Sequence, residues 1–299
     1  MRIRVLILLL SLSYCNVLVA ADYKVSVRAN HGINNAIKKW QPTINLLNKK
    51  IPEHTFTLLP ILSLKEISDR SGRGEFDFVF TNPSSYIEIE QLYGAKAMVT
   101  LNNKRANTAQ SRFGSVIFTH ARNTDIINLK DLADKTLMAV SEEGFGGWRV
   151  AWLEMLEQGF NPRTQLKKLL FTKSNTQPEV VYAVRDGKVD AGIVRTDRLE
   201  RMEMKGKIDM RYFRILNNKD VRNFPFFLSS QLYPEWAFAV LKHVSPKDAK
   251  RVAKALLNIS KESKAAQSGH YVGWLPPENY QPVRDLMKRL KVGPHANKQ

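Results

Sequence analysis

The segment FDFVFTNPSSY, residues 76–86, carries the strongest indication of the fold. Residues 76–80 are short and largely apolar, which is typical of a strand buried inside a sheet. Pro83 suits the first turn of a helix, and residues 84–92 are predicted to form that helix, which ends at Gly94. A buried strand that runs directly into a helix is the repeating unit of an α/β fold.

The same alternation continues towards the N-terminus. Apolar residues in period two predict strands, and apolar residues in helical spacing predict helices. The predicted strands are 23–29 and 55–60, and the predicted helices are 33–49 and 64–70. Together with 76–92 this βαβαβα order predicts a mostly parallel sheet with helices on both faces.

The pattern restarts after residue 113. Strands are predicted at 114–119, 136–140, 169–172 and 189–194, with helices at 129–135, 148–158 and 178–186. Two later helices, 247–263 and 282–290, are expected to return to the first lobe. We therefore predict lobe 1 from residues 22–115 and 228–299, and lobe 2 from residues 116–227. No flexible linker separates them, so strands near 113–119 and 226–230 are expected to form a hinge.

Residues 1–21 have the order of a secretory signal peptide. Arg2 and Arg4 precede an aliphatic run at 5–12, and Val19-Ala20-Ala21 supplies small residues, so cleavage is expected after Ala21. The alternative is an uncleaved N-terminal anchor, although the run is shorter than the roughly 20 residues that a membrane span needs. Cys15 is the only cysteine, and Tyr14 before it argues against lipidation. The leader predicts a periplasmic location.

The chain is strongly basic, with a formal net charge of +18 from 46 basic and 28 acidic residues. Lys and Arg are spread along the chain, and export also argues against nucleic acid as a partner. The charge can be a solvated surface, but its best functional interpretation is attraction of an anionic ligand.

Ligands of open α/β sheets bind beyond the carboxyl ends of strands, where helix N-termini hold anions. Four predicted strand-to-helix turns therefore supply the candidate site. These candidates are His31, Thr81, Asn82, Ser84, Ser85, Tyr86, Ser141, Phe145, Gly146, Gly147, Trp148, Arg195 and Asp197. Gly146 and Gly147 are expected to let the backbone approach a ligand closely.

Each candidate also has a structural interpretation. The Ser and Thr side chains can simply cap helices, and His31 can be a turn residue. Trp148 and Trp152 are four residues apart, which is also core spacing. Arg195 can pair with Asp197 or Glu200 instead of a ligand.

Signatures of catalysis are absent from the sequence. It contains no G-x-S-x-G elbow, no H-E-x-x-H motif and no Walker-type loop. Its six histidines lack metal-ligand spacing. We therefore expect neither a metal nor a cofactor, and no enzymatic activity.

Several motifs in a fixed order resemble the phosphonate/phosphite-type periplasmic binding proteins, near their sensor-associated branch. The motifs are Asp77-Phe78-Val79 with Asn82-Pro83 and Tyr86, Phe145-Gly146-Gly147-Trp148 with Trp152, Asp190-Ala191-Gly192 with Arg195-Thr196-Asp197, Tyr233-Pro234-Glu235-Trp236, and Gly273-Trp274-Leu275-Pro276 with Tyr280. The resemblance implies a type II, Venus-flytrap binding fold of two α/β lobes. It also implies a ligand in the interlobe cleft, with Ser84, Ser85 and Tyr86 on one wall and residues 141–148 on the other. Glu142 and Glu143 depart from the transporter branch, which puts phosphonate itself in question.

The expected function is capture of a small, anionic solute and its delivery to a membrane ABC permease or sensor kinase. The protein is expected to act as a monomer. The alternative is an exported α/β enzyme that acts on a small anionic substrate.

Overall fold

The computed structural model describes residues 20–296. The n-region, the apolar run and Cys15 of the predicted signal peptide lie outside these described residues. The strands are β1 (Asp22–Arg28), β2 (Thr55–Ile61), β3 (Phe78–Thr81), β4 (Lys96–Arg105), β5 (Thr108–Gln110), β6 (Arg112–Phe113), β7 (Ser115–His120), β8 (Thr136–Ala139), β9 (Lys168–Phe171), β10 (Ala191–Arg195), β11 (Phe213–Leu216), β12 (Tyr233–Pro234), β13 (Ala237–Val240) and β14 (Tyr271–Leu275).

The α-helices alternate with these strands. They are α1 (Ile33–Lys50), α2 (Leu64–Gly72), α3 (Pro83–Tyr93), α4 (Val150–Glu157), α5 (Gln177–Arg185), α6 (Arg198–Glu203), α7 (Pro246–Leu257), α8 (Lys264–Gly269) and α9 (Gln281–Leu290). A π-helical turn at Phe145–Arg149 leads into α4. Three short 3₁₀ turns lie at Leu129–Leu132, Met210–Tyr212 and Gly293–His295. None of the helices in the described part of the chain has the length and apolar character needed to cross a membrane.

Two sheets form the centres of two lobes. The first has the order β14-β4-β13-β3-β1-β2, with β5 beside β4, and the second has the order β11-β7-β10-β8-β9. The short β6 and β12 pair antiparallel where the chain leaves the first sheet and returns to it. The hinge is predicted near 113–119 and 226–230; β6 ends at the start of the first range, and β12 begins three residues after the second.

Both sheets are mixed, so the prediction of a mostly parallel sheet is wrong. In the first sheet β1 pairs parallel with β2 and β3, whereas β13 pairs antiparallel with β3 and β4. In the second sheet β10 is parallel to β8 but antiparallel to β7. The strands that follow a crossing between the lobes enter the new sheet from the opposite end, which reverses their direction.

Helix α1 shows how local sequence positions one wall of the site. Its buried stripe of Ala36, Trp40, Ile44 and Leu47 packs on the first sheet. Pro42 lies inside the helix and cannot donate to the Lys38 carbonyl, and the Ser268 hydroxyl donates to that oxygen instead, at 2.7 Å. The helix therefore stays continuous, and its other face is free to line a cavity.

Several elements end earlier or later than the sequence pattern indicates. The helix predicted at 247–263 is two helices, because α7 ends at Leu257 and Ser263 caps a new helix by accepting from the Ala266 N–H at 3.1 Å. The helix predicted at 129–135 is only a 3₁₀ turn. Strands β4 and β14, which help to complete the first sheet, were not predicted as strands. The apolar stretch 236–241, predicted to be a buried strand or a helix face, contains β13.

Candidate functional site

A cavity of about 740 Å³ lies between the lobes and is lined by residues of both. From the first lobe it takes the turn after β1, one face of α1, Asn82 after β3 and the end of β4. From the second lobe it takes the turns that follow β8 and β10. The carboxyl ends of β1, β3, β8 and β10 therefore meet at this cavity, as the rule for open α/β sheets predicts.

Cations dominate the lining. Eight Lys and Arg side chains contribute to it, and no Asp or Glu among the described residues does. The eight are Arg28, Lys39, Lys104, Arg105, Arg195, Arg198, Arg201 and Lys205. A cavity lined in this way holds a positive potential and attracts anions.

Two carboxylates lie directly behind this lining and hold part of it in place. The Glu235 carboxylate accepts from Arg195 Nη2 at 2.5 Å and from Asn103 Nδ2 at 2.8 Å, and its side chain is fully buried. Asp197 accepts from Arg201 Nη1 at 3.0 Å and lies 3.6 Å from Arg105 Nη1. Arg195 also covers the Phe113 ring at 3.9 Å from the ring centre.

These pairs set the pKa values of both carboxylates. Burial alone would raise the pKa of Glu235, but the Arg195 and Arg105 guanidinium groups outweigh it and hold that pKa below its ordinary value. Asp197 behaves in the same way, with Arg105, Arg195 and Arg201 as the charges that lower its pKa. Both groups are therefore ionised at neutral pH.

For the cations that lack a carboxylate partner, burial and neighbouring cations disfavour the charged form and lower the pKa. Burial, followed by repulsion from Arg201, lowers the pKa of Arg198 to about 10, and its Nε has no hydrogen-bond partner among the described residues. Burial and the neighbouring Arg105 lower the pKa of Lys39 to about 7. The pKa values of His31 and His270 are also lowered, first by burial and then by nearby cations. The cavity thus holds more positive charge than the protein neutralises.

The π-helical turn supplies neutral donors to the same cavity. Phe145, Gly146 and Gly147 line it, and the N–H groups of a first helical turn have no acceptor within their own helix. A Cβ on Gly146 would lie 2.7 Å from Phe113 Cε2, and a Cβ on Gly147 would lie 2.6 Å from Val140 Cγ2. The two glycines therefore allow a close approach to side chains of the protein itself.

The structure places seven of the predicted site residues on the cavity lining. They are His31, Asn82, Ser141, Phe145, Gly146, Gly147 and Arg195. Asn82 is at the same time the N-cap of α3, because its side chain accepts from the Ser85 N–H at 3.0 Å. For Arg195, pairing with a carboxylate and exposure to the cavity are both realised.

The other six predicted residues lie outside the lining. Thr81 is buried in β3, and Ser84 and Ser85 form the buried first turn of α3. Tyr86 packs edge-on against Tyr280 at 4.9 Å and accepts from the Ala97 N–H, so it belongs to the core of lobe 1. Trp148 is fully buried and stacks on Trp152 at 5.5 Å, which is the packing interpretation. Asp197 supports the arginines from behind.

Several residues of the cavity lining were not predicted from the sequence. Lys39 lies four residues after Asn35, so the two share one face of α1, and both line the cavity. Arg198 and Arg201 are three residues apart on α6, directly after the Arg195-Thr196-Asp197 turn, and this spacing was an available signal. Arg105 lies at the end of β4, an unpredicted strand, and only tertiary structure brings it to the site.

Two α/β lobes with a cavity between them that is lined by residues of both define a type II, Venus-flytrap binding protein. The comparisons agree with this class: the family model of ABC-transporter phosphonate periplasmic substrate-binding proteins matches residues 34–281. The chain therefore belongs to the phosphonate-binding family of periplasmic substrate-binding proteins.

A curated relative is the tetrathionate sensor histidine kinase TtrS of Salmonella typhimurium. It is 30% identical over 285 residues, which are 95% of this chain and 46% of the relative. The chain thus spans about half the length of the curated relative that it matches, and the family is related both to ABC importers and to the periplasmic part of sensor kinases.

Solved structures show the same fold at low sequence identity. XAC2383 of Xanthomonas citri, bound to ATP, has a TM-score of 0.73 at 16% identity, with 92% of this chain and 99% of that one covered. PhnD1 of Prochlorococcus marinus, in complex with methylphosphonate, has a TM-score of 0.68 at 13% identity, with 90% and 98% covered.

Proposed function

We propose that this chain captures a small, anionic, oxyanion-type ligand in the interlobe cavity and acts without turning it over. The observation that supports the proposal is a lining with eight Lys and Arg side chains and, within residues 20–296, no carboxylate. Burying so many cations next to one another is costly unless an anion joins them. A bound oxyanion relieves that cost, and each charged hydrogen bond it accepts contributes about 1.5–3 kcal/mol.

Both lobes would contact the ligand. Lys39 and Arg105 approach from lobe 1, and Arg198 and the π-helical turn approach from lobe 2. Because only contacts that differ between the open and closed states shift an equilibrium, a ligand held by both walls stabilises closure. We propose lobe 1 as 22–115 with 228–299 and lobe 2 as 116–227, with His31, Asn82, Ser141, Phe145, Gly146, Gly147 and Arg195 among the contacts.

The partner of the loaded protein is proposed from its relatives. Members of the family serve ABC importers, and the curated relative is a sensor kinase. We propose a periplasmic protein, exported by its signal peptide and monomeric, that passes its occupancy or its ligand to a membrane permease or kinase. Tetrathionate and methylphosphonate, which the names of similar proteins mention, belong in a first ligand panel.

Isothermal titration calorimetry tests the proposal. The purified protein is titrated with phosphate, phosphite, methylphosphonate, sulfate and tetrathionate, and with neutral and cationic controls of similar size. We expect at least one anion to bind, more weakly as salt rises but not as steeply as at an exposed site, because a closed cavity excludes solvent. Binding of neutral or cationic compounds alone would contradict the proposal.

Matched variants locate the binding. Arg198→Met removes a cavity cation and is expected to weaken anion binding about 10- to 100-fold. Lys188→Met removes an equal charge from the same lobe at a side chain that is 72% exposed, and it should leave affinity within about twofold. NMR of the bound anion over hours would reveal turnover, which is the outcome that favours an enzyme.

A further inference from the structure

Lys39 differs from the other cations of the cavity in its surroundings. It is partly buried on the inner face of α1, where its ammonium nitrogen lies 4.7 Å from the centre of the Trp40 ring. Within residues 20–296, no carboxylate oxygen lies within ion-pair distance of this nitrogen. The carboxylate that influences it most, Glu235, is already bonded to Arg195 and Asn103.

The groups that face Lys39 are mostly positive. Arg105 comes from β4, Arg195 from β10 and Arg201 from α6, and Glu235 supplies the only counter-charge among the groups that act on it strongly. Two histidines complete the surroundings, His31 before α1 and His270 after α8, and Lys39 acts on both. In the absence of an anion, an added proton on Lys39 is therefore poorly stabilised.

We propose that Lys39 is a further ligand-binding residue and that it takes up a proton when the anion binds, so that the site captures its ligand together with H⁺. The inference rests on the proposed anion-binding function. The proton comes from the buffer and adds to the lone pair of the Lys39 amine, and no other bond changes. The bound anion supplies the counter-charge that the protein withholds.

The direction of the pH effect follows from the burial and the neighbouring cations. Both lower the pKa of Lys39 to about 7 in the free protein, and an adjacent anion moves it back towards its ordinary value. Below pH 7 Lys39 is already charged and needs no proton. Above pH 7 binding requires uptake, so affinity falls by up to about tenfold per pH unit until the pKa of the complex is reached.

The two histidines are separable from Lys39 by substitution. Their pKa values are lowered in the free protein, first by burial and then by neighbouring cations, so an adjacent anion can raise them as well and add protons to the count. The difference in count between wild type and Lys39→Arg isolates the proton of Lys39. In the background of the double variant His31→Gln/His270→Gln, that difference at pH 8 should be unchanged.

The experiment is calorimetry at pH 8 in three buffers that differ in ionisation enthalpy. The slope of the binding enthalpy against that enthalpy counts the protons exchanged, and the probe is the anion of the panel above that binds most tightly. Lys39→Arg keeps a permanent charge, so subtracting its count removes the protons that the anion itself exchanges. We expect the wild-type count to exceed the Lys39→Arg count by about 0.9 proton.

A neighbouring lysine supplies the matched control. Lys38→Met removes an exposed charge one residue away and should leave the count unchanged. Lys39→Met cannot take up a proton, so its loss of affinity relative to wild type should be greatest at pH 6 and should shrink as the pH rises to 9. Equal counts in wild type and Lys39→Arg would overturn the inference while leaving anion binding intact. Failure of every anion to bind would overturn the proposed function and this inference with it.

Discussion

Arg195 contributes both to the stability of the fold and to the proposed ligand site. Its guanidinium faces the cavity on one side and pairs with the fully buried Glu235 on the other. A buried ion pair gains little over apolar packing, but removing one partner leaves an unpaired charge and is strongly destabilising. Glu235 therefore allows lobe 2 to present a buried arginine to a ligand without losing the fold.

Glu235→Gln is predicted to separate these two roles. The substitution keeps the shape but removes the charge that compensates Arg195, so the free energy of unfolding should fall by about 3 kcal/mol. The cavity becomes more positive, so anion affinity should rise. Urea unfolding and calorimetry measure the two effects, and an unchanged or lower affinity would contradict the assignment of Arg195 to the ligand.

The pH dependence provides a check on this prediction. The pKa of Glu235 is lower in the folded protein than in the unfolded chain, so its contribution is present at neutral pH and is lost as the pH falls below about 4. The difference in melting temperature between wild type and Glu235→Gln should therefore shrink between pH 7 and pH 3.5. Glu143→Gln, at an exposed side chain with no ion pair or side-chain hydrogen bond within the described residues, is the control and should show no difference at pH 7.

At the scale of elements, the π-helical turn both packs on the second sheet and lines the cavity. The Ser115 hydroxyl donates to the Gly146 carbonyl at 2.7 Å, and the Val140 N–H donates to the Gly147 carbonyl at 3.2 Å. These bonds hold the turn on the second sheet, where Phe145, Gly146 and Gly147 line the cavity. Only glycine leaves room for this approach.

Gly147→Ala is predicted to destabilise the protein. Its Cβ would lie 2.6 Å and 2.9 Å from two atoms of the buried Val140 side chain, which has little freedom to move, and such overpacking costs about 1–3 kcal/mol. The turn would also shift, so anion affinity should fall. Gly273→Ala is the control, because its Cβ meets only one atom, at 3.6 Å. Equal melting temperatures for the two variants would contradict the packing argument.

The elements also show how far sequence reasoning reaches. Strands β1, β2 and β3 and the helices between them follow their apolar periodicity and lie within two residues of the predicted bounds. Strand β4, at Lys96–Arg105, carries a polar second half with Asn102, the buried Asn103 and Lys104, so its pattern gives little indication of a strand. Its long-range pairing with β13 and β14 decides its structure instead.

The site was predictable where it depends on strand ends and was not where it depends on packing. Ser141, the following glycines and Arg195 line the cavity because turns after strands meet at one edge. Tyr86 and Trp148 follow strands too, but both point into a core, and periodicity cannot distinguish a buried aromatic from a ligand contact. Lys39 and Arg105 come together only through tertiary structure.

At the scale of the molecule, charged contacts hold the two lobes together. Arg105 of the first sheet lies 3.6 Å from Asp197 of the second lobe, and Arg195 reaches Glu235 between β12 and β13. The lobes are also joined through the β6–β12 ribbon and through α4, which shares a hydrophobic cluster with α9 and is bonded to it where Arg289 Nη1 donates to Glu157 Oε1 at 2.8 Å. We propose that the short β6–β12 ribbon is the hinge about which one lobe rotates against the other.

Ligand binding is predicted to make the molecule more compact. An anion that contacts both walls favours the closed state, so the radius of gyration from small-angle X-ray scattering should decrease at saturation. Asp197→Asn weakens the cross-lobe contact and should increase the radius in the absence of ligand. Asp209→Asn, at the partly buried N-cap of the 3₁₀ turn Met210–Tyr212, where the carboxylate pairs with Arg211, serves as its control. A radius that stays constant at saturation would contradict closure.

The strand order of the first sheet also determines the sequence of assembly. Strand β13 lies between β3 and β4, although 131 residues separate Arg105 at the end of β4 from Ala237 at the start of β13. The second sheet, by contrast, uses only the continuous stretch from Ser115 to Leu216. When the chain emerges N-terminus first, the second lobe can therefore be completed before β13 is available. Until then β3 and β4 each have an edge without a pairing strand. The lobe that contains the N-terminus is the last to be completed. Until then its unpaired strand edges can aggregate unless chaperones bind them or folding is fast.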